Sequence, residues 1–162
     1  MKLGGDGVKV HNTRDIDDLA AALIDLMGFF ASPRRDDVLL AEAGVSLDRA
    51  LFPLLVRLGR CGPLSVAGLA AQVGRDHTTI SRQLAKLESQ GLVSRQGGGV
   101  DRRLRPAALT APGAAIVQAI AAARRRLLSK VLADWSDADR ASLATLNRRF
   151  VEALSDGTRD RA

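Results

Sequence analysis

The chain has 162 residues, 46% of them hydrophobic and 26% charged, and its formal net charge is +6. This length predicts one domain with a buried core, and the positive charge favours an anionic partner such as nucleic acid. No apolar run reaches the roughly 18 residues of a membrane span. The first residues lack the apolar segment of a signal peptide, and one cysteine excludes an intrachain disulfide. We therefore expect a cytoplasmic protein without membrane association.

The N-terminal part predicts a tail followed by two helices. Residues 1–11 are rich in glycine and polar side chains, which is typical of a flexible tail. Apolar residues then recur at spacings of three and four: Ile16, Leu19, Leu23, Leu26, Met27 and Phe30. This pattern predicts an amphipathic helix over 13–31, packed either inside its own monomer or against a partner chain. Ser32-Pro33 ends it, and residues 34–42 form a short second helix before Gly44.

A third helix is predicted over 47–58, with an inward face of Leu51, Leu54, Leu55 and Leu58. Pro53 lies inside it and should either kink the helix or move its regular part later. Residues 59–63 are predicted to form a turn. Ser65 can then cap a short helix over 66–73, and Gly74-Arg75 forms a tight turn into the next helix.

The helix over 76–90 is the segment around which the chain is organised. Asp76 can cap its start, and Gly91 suits the position after its last turn. Ile80, Leu84 and Leu87 fall on one side, and the opposite side collects small, polar and cationic residues: Thr78, Ser81, Arg82, Ala85, Lys86 and Ser89. That face suits base edges and phosphates, although alone it also fits a solvated surface helix. Two short helices joined by a tight turn form a helix-turn-helix.

A small hairpin is predicted after this helix. Residues 92–95 alternate as in a strand, 96–101 form a glycine-rich loop, and 102–105 lead back. The glycines do not form a phosphate-binding loop, because no G-x-x-x-x-G-K-[ST] pattern is present. Residues 64–106 contain seven positively and three negatively charged side chains, a net charge of +4. Phosphate neutralisation by this basic segment would supply much of the affinity for DNA.

Two further helices complete the predicted fold. Thr110 begins a long alanine-rich helix that runs to about Ala133, and Ser136 caps a last helix with a stripe of Leu143, Leu146, Phe150 and Leu154. The run Arg124-Arg125-Arg126 is interpreted as a solvated face, with contact to DNA or a partner as the alternative. Residues 156–162 are predicted to be a polar tail.

No catalytic or metal-binding pattern is found. His11 and His77 lie in the predicted tail and at a helix start, and Cys61 has no histidine near it in sequence. Neither metal-ligand spacing nor a nucleophile dyad is therefore present, so we expect no enzyme, no metal and no cofactor. Cys61 is interpreted as a passive, partly buried residue. Redox sensing is the alternative, because Arg60 could favour its thiolate.

The order and spacing of residues over 47–113 resemble the MarR family of bacterial winged-helix transcription regulators. The matching residues are Leu69-Ala70, Thr79-Ile80-Ser81-Arg82, Leu87-Glu88, Gly91-Leu92-Val93, Arg95, Asp101-Arg102-Arg103, Leu109-Thr110 and Gly113. The resemblance implies a mainly α fold with a small β wing, one domain over 12–155. Residues 47–106 would be the winged helix-turn-helix, and 13–31 with 112–155 the dimerisation helices.

The resemblance also implies a function. Such a protein would be a bacterial or archaeal homodimer in the cytoplasm, associated with the nucleoid because it binds a pseudo-palindromic operator in double-stranded DNA. It would act as a repressor that a small anionic or aromatic ligand releases. A winged helix that binds protein instead of DNA is the alternative, and it would not need the cationic face.

The resemblance assigns residues to three sites. DNA contacts would come from Ser65, Arg75, His77, Thr78, Thr79, Ser81, Arg82, Lys86, Arg95, Asp101, Arg102 and Arg103. Among these, Arg82 and the neighbouring hydroxyls would face bases, His77 and Lys86 would neutralise phosphates, and Asp101 would brace the wing while Arg102 and Arg103 reach the minor groove. Dimerisation would use Ile16, Leu19, Leu23, Leu26, Leu143, Leu146 and Phe150.

The third site is a ligand pocket assigned to Phe29, Phe30, Phe52, Leu55 and Arg57, with an ordinary hydrophobic core as the alternative. Here the sequence departs from the family. Pro53 and the Ser32-Pro33 break lie where the pocket is usually walled, and the chain has no tyrosine to contribute phenolic groups.

Overall fold

The computed structural model describes residues 13–95 and 106–159. These residues form seven helices and one small sheet: α1 (Thr13–Ala31), α2 (Pro33–Ala43), α3 (Phe52–Cys61), α4 (Val66–Val73), α5 (His77–Ser89), β1 (Val93–Arg95), β2 (Ala107–Leu109), α6 (Ala111–Val131) and α7 (Asp137–Arg159). The predicted class, mainly α with a small β wing, is confirmed. The predicted tail over 1–11 and the glycine-rich loop with Asp101, Arg102 and Arg103 lie outside the described residues.

Helices α4 and α5 begin at the N-cap residues that the sequence predicts, Ser65 and Asp76. The Ser65 hydroxyl accepts a hydrogen bond from the Gly68 backbone N–H at 3.0 Å, and the Asp76 carboxylate accepts one from Thr79 N–H at 2.8 Å. Gly91 follows α5 with a φ of 69°, a left-handed conformation that glycine adopts without a steric penalty. The boundaries of the helix-turn-helix are therefore set by local chemistry.

Four predicted helix boundaries are corrected. The third helix begins at Phe52 rather than at residue 47 and ends at Cys61, inside the predicted turn over 59–63. Pro53 causes the later start, because its missing N–H is tolerated only in a first turn. Residues 48–51 form a turn instead, closed by a hydrogen bond from Leu51 N–H to the Asp48 carbonyl, and the Asp48 carboxylate accepts a hydrogen bond from Ala50 N–H at 2.9 Å. Helix α7 continues to Arg159, beyond the predicted start of the tail at 156, and α6 ends at Val131.

The main core joins α3, α4, α5 and the sheet. Its buried members are Leu51, Leu54, Leu55, Leu58, Val66, Leu69, Ile80, Leu84, Leu87, Leu92, Val93 and Ala107. The strands pair antiparallel, with Val93 opposite Leu109 and Arg95 opposite Ala107, and Leu64 forms a further bridge to Ala107. This arrangement fixes α5 on the outside of a compact winged helix.

A second cluster attaches the winged helix to α2 and α6. Leu40, Phe52 and Ile120 are its buried members and come from α2, α3 and α6. On the surface, the Arg126 guanidinium donates to the Glu42 carboxylate at 2.6 Å and to the Glu42 backbone carbonyl at 2.7 Å. The hydrogen bond from Arg126 is the largest cause of a lowered pKa at Glu42. At least one arginine of the 124–126 run therefore pairs inside the chain instead of being only solvated.

Helices α1 and α7 bury no side chain in the part of the chain that the structure describes. Ile16 on α1 is 54% exposed and Leu146 on α7 is 59% exposed, although both belong to apolar stripes. No described helix is both long and apolar enough to cross a membrane.

Candidate nucleic-acid interface

Helix α5 presents the face that the sequence assigns to DNA. Its apolar side is fully covered, since Ile80, Leu84 and Leu87 are buried. At 100° per residue, the centre of the opposite side is formed by Thr78, Arg82, Ala85 and Ser89, all of them exposed. Arg82 forms no hydrogen bond or ion pair within residues 13–95 and 106–159. A guanidinium among small side chains on a protruding helix can approach base edges in a major groove.

The first turn of α5 is organised by Asp76. One carboxylate oxygen accepts from the Thr79 backbone N–H and the other from the Thr79 hydroxyl, at 2.8 and 2.6 Å. These bonds, the hydroxyl bond first, hold the pKa of Asp76 below its usual value. The Thr79 hydroxyl, which was predicted to contact bases, instead donates a hydrogen bond to Asp76, and Thr79 is half-buried. His77 and Thr78 are exposed.

Arg75 fixes α5 to the turn before α3. Its guanidinium donates to the Ala50 carbonyl at 3.0 Å and to the Gln83 side-chain oxygen at 3.1 Å. The sequence assigns Arg75 to DNA, and the structure places it half-buried between two elements. Its observed contacts hold the position of the helix.

Lys86 has an acidic partner that the sequence analysis missed. Its ammonium lies 2.7 Å from Asp48 Oδ2, and the hydrogen bond from Lys86 is the largest cause of a lowered pKa at Asp48. The two residues are 38 positions apart, so no local spacing indicates the pair. The Lys86 ammonium, which was assigned to a DNA phosphate, is therefore paired with a carboxylate of the same chain.

Arg95, the last residue of β1, lies at the flank of α5 opposite Lys86. Its guanidinium lies 3.6 Å from the Glu88 carboxylate, and only 12% of its side chain is exposed. The base of the wing is thereby tied to the last turn of α5. Asp101, Arg102 and Arg103, assigned to the wing, lie outside the described residues.

The segment after α5 is attached to the start of α6 by Thr110 and Gly113. The Thr110 hydroxyl donates to the Gly91 carbonyl at 2.6 Å and accepts from Gly113 N–H at 3.2 Å. The Thr110 N–H donates to the Leu92 carbonyl at 3.1 Å. A Cβ at Gly113 would lie 2.0 Å from that carbonyl oxygen, so only glycine fits there. Backbone contact therefore links α5 to α6.

The residues assigned to a ligand lie in different surroundings, some in the core and some on the surface. Phe52 and Leu55 are buried in different core clusters, and Arg57 is half-buried on α3. Phe29 and Phe30 are exposed on α1 with their ring centroids 5.4 Å apart, and the Arg35 guanidinium lies 3.4 Å from the Phe29 centroid. Phe52 and Leu55 thus match the alternative of an ordinary core.

Cys61 differs from its predicted position. It is the last residue of α3 rather than part of a turn, and it is exposed, with its Sγ 3.5 Å from the Gln72 side-chain oxygen. Among the described residues, no group of three His, Cys, Asp or Glu side chains could hold a metal ion.

Comparison with known proteins agrees with this geometry. The MarR family model matches residues 47–104. The chain is 30% identical over 111 residues to YxaD, an uncharacterised HTH-type transcriptional regulator of Bacillus subtilis, covering 68% of this chain and 78% of YxaD. A MarR family protein from Bacillus stearothermophilus superimposes with a TM-score of 0.75 at 21% identity, over 90% of this chain and 99% of the other. RV1404 from Mycobacterium tuberculosis gives a TM-score of 0.66 at 23% identity, over 86% and 94%.

Proposed function

Because the chain belongs to the MarR family of DNA-binding transcription regulators, we propose that it binds a specific pseudo-palindromic operator as a homodimer. We further propose that it acts as a repressor and that a small anionic or aromatic ligand releases it. The observation that carries the proposal is the centre of the exposed face of α5, where Arg82 lies among Thr78, Ala85 and Ser89.

The side chains on this face divide into two roles. Arg82 can donate two hydrogen bonds to the O6 and N7 of a guanine, the commonest specific contact in the major groove. Thr78 and the half-buried Ser81 supply hydroxyls beside it. His77 at the helix start and Ser65 at the start of α4 suit backbone phosphates, because helix N-termini attract anions. Base readout thus falls to the centre of the exposed face of α5, and phosphate anchoring falls to the N-terminal ends of α4 and α5.

Dimerisation is supported by the apolar stripes of α1 and α7. Ile16, Leu19, Leu26, Leu143 and Leu146 are all more than one-third exposed, and Leu23 and Phe150 are half-buried. Burying apolar surface yields about 25 cal/mol per Å², so these stripes favour association with a second copy. A two-fold dimer presents two equivalent α5 helices, which fits an inverted repeat in DNA.

Release by a ligand requires a molecule that binds the dimer and its DNA complex with different affinities. Phe29 and Phe30 offer exposed aromatic surface, and Arg57 offers a cation for a carboxylate. Benzoate and salicylate are suitable probes. Release of bound duplex by either one supports this part of the proposal, and unchanged affinity in their presence refutes it for this ligand class.

The operator proposal is tested by selecting duplexes from a random pool with the purified full-length chain. We expect the recovered sequences to share an inverted repeat whose half-site centres lie about one helical turn, ~10 bp, apart. Recovery of unrelated sequences at all salt concentrations would contradict specific binding.

A further inference from the structure

The ion pair between Lys86 and Asp48 joins α5 to the turn before α3 at the edge of the proposed DNA-binding face. Nζ and Oδ2 are 2.7 Å apart, and the two side chains are 53% and 42% exposed. The other oxygen of Asp48 accepts from Ala50 N–H, and the Ala50 carbonyl accepts from Arg75. The carboxylate is therefore held in place by the same turn that braces α5.

Position on the helix makes this pair relevant to DNA. Lys86 follows Arg82 by four residues, which places the two side chains one turn apart on the exposed side of α5. Lys86 lies toward the flank that also carries Gln83, the side-chain partner of Arg75. A phosphate approaching this flank meets a lysine whose charge is already balanced, and a carboxylate that repels it.

We propose that Asp48 is a specificity-determining residue that occupies Lys86 in the unbound protein and in non-specific complexes. Lys86 then contributes to affinity only when the docked operator holds a phosphate close enough to replace the carboxylate. This inference rests on the DNA binding proposed above. It adds a residue, Asp48, that weakens non-specific binding to DNA.

The effect on specificity follows from how the two kinds of complex gain their affinity. Non-specific binding comes from neutralised phosphates and released counterions. A lysine that is paired within the protein neutralises no phosphate and releases no counterions. The nearby carboxylate also repels the DNA backbone. In the operator complex, base contacts fix the register of α5 and hold one phosphate in place. An exposed ion pair contributes little to stability, so a fixed phosphate can displace it.

The test compares wild type with Asp48→Asn on a selected operator and on a scrambled duplex over a range of salt concentrations. The asparagine oxygen can still accept from Ala50 N–H, while Lys86 loses its ionic partner. We expect non-specific affinity at low salt to rise on the order of tenfold per subunit, and the salt slope to steepen by about 0.9 per subunit. Operator affinity should rise less, so the ratio of specific to non-specific affinity falls.

Three matched variants separate this mechanism from a change in net charge. Asp137→Asn removes a carboxylate paired with Arg140 on α7, which is not among the main neighbours of α5, and it should keep the wild-type ratio. Asp48→Glu keeps the charge and should keep the ratio as well. In a Lys86→Ala background, Asp48→Asn should have a much smaller effect.

The outcomes distinguish the inference from the proposed function. An unchanged ratio in Asp48→Asn, or an equal effect in the presence and absence of Lys86, overturns the inference while operator binding stands. Absence of operator binding by wild type refutes the proposed function itself. Thermal unfolding verifies that each variant is folded. If Asp48→Asn is not, Asp48→Ser retains an acceptor for Ala50 N–H and replaces it in the comparison.

Discussion

Substitution of Gly113 tests whether the close backbone contact between the start of α6 and Leu92, the residue before β1, holds the winged helix together. A Cβ at this position would lie 2.0 Å from the Leu92 carbonyl oxygen and 3.0 Å from its carbon. The obstacle is backbone and cannot rotate away, so Gly113→Ala must displace the start of α6. Displacement would weaken the hydrogen bonds from Thr110 to the Gly91 and Leu92 carbonyls.

The magnitude follows from opposing contributions. Two weakened hydrogen bonds cost about 0.5–1.5 kcal/mol each, and overpacking costs about 1–3 kcal/mol. Alanine in place of glycine gains about 1 kcal/mol in helix propensity. We therefore expect Gly113→Ala to lower the free energy of unfolding by roughly 1–5 kcal/mol relative to wild type.

Gly68 supplies a matched control. It occupies the same position in α4 as Gly113 does in α6, three residues after a capping hydroxyl that accepts its N–H. A Cβ at Gly68 would meet only ordinary contacts, at 3.4 Å to Ser65 Oγ and 3.6 Å to Leu64 Cδ2. Gly68→Ala should therefore be neutral or stabilising by up to about 1 kcal/mol. Urea unfolding at one fixed protomer concentration measures both variants, and a Gly113→Ala protein as stable as Gly68→Ala would refute the reasoning.

Three further predictions concern other parts of the chain. Arg82→Ala should reduce operator affinity by about 1–3 kcal/mol more than affinity for random DNA; equal losses in a binding titration would remove Arg82 from base readout. Leu23→Asp should yield a monomer in light scattering, because a charge in the proposed interface would be buried without a partner, and an intact dimer would exclude Leu23 from that interface. The pKa of Asp76 is lowered in the folded chain, so its stabilising contribution is present above the unfolded pKa and disappears as pH falls through the folded value. Asp76→Ala should therefore lower the melting temperature at neutral pH and flatten its decline in acid, and a parallel acid decline in both proteins would contradict the assigned cap.

Local chemistry made much of the fold predictable. Ser65 and Asp76 are N-caps with partners three residues away, so their role can be read from short spacings. The buried stripe of Ile80, Leu84 and Leu87 follows from helical periodicity. Pro53 left two alternatives, a kink or a late start, and the structure has the late start, with Pro53 in the first turn of α3.

Contacts between distant segments were not predictable in the same way. Asp48 meets Lys86 across 38 positions, and Arg126 meets Glu42 across 84. Whether each cation is exposed to a ligand or paired within the chain depends on how helices pack, and periodicity does not encode that. For the same reason, Arg75 was assigned to DNA, while the structure shows it bonded to the Ala50 carbonyl and to Gln83.

Footprinting of the full-length protein on a selected operator is the most direct test of two-fold, sequence-specific binding. We expect two equivalent protected half-sites whose centres are about one helical turn, ~10 bp, apart, with two protomers bound per duplex. Scrambling one half-site should weaken protection of both, because each half-site holds one protomer of the same dimer. Full protection of a lone half-site by one protomer, unaffected by loss of the other, would contradict the account.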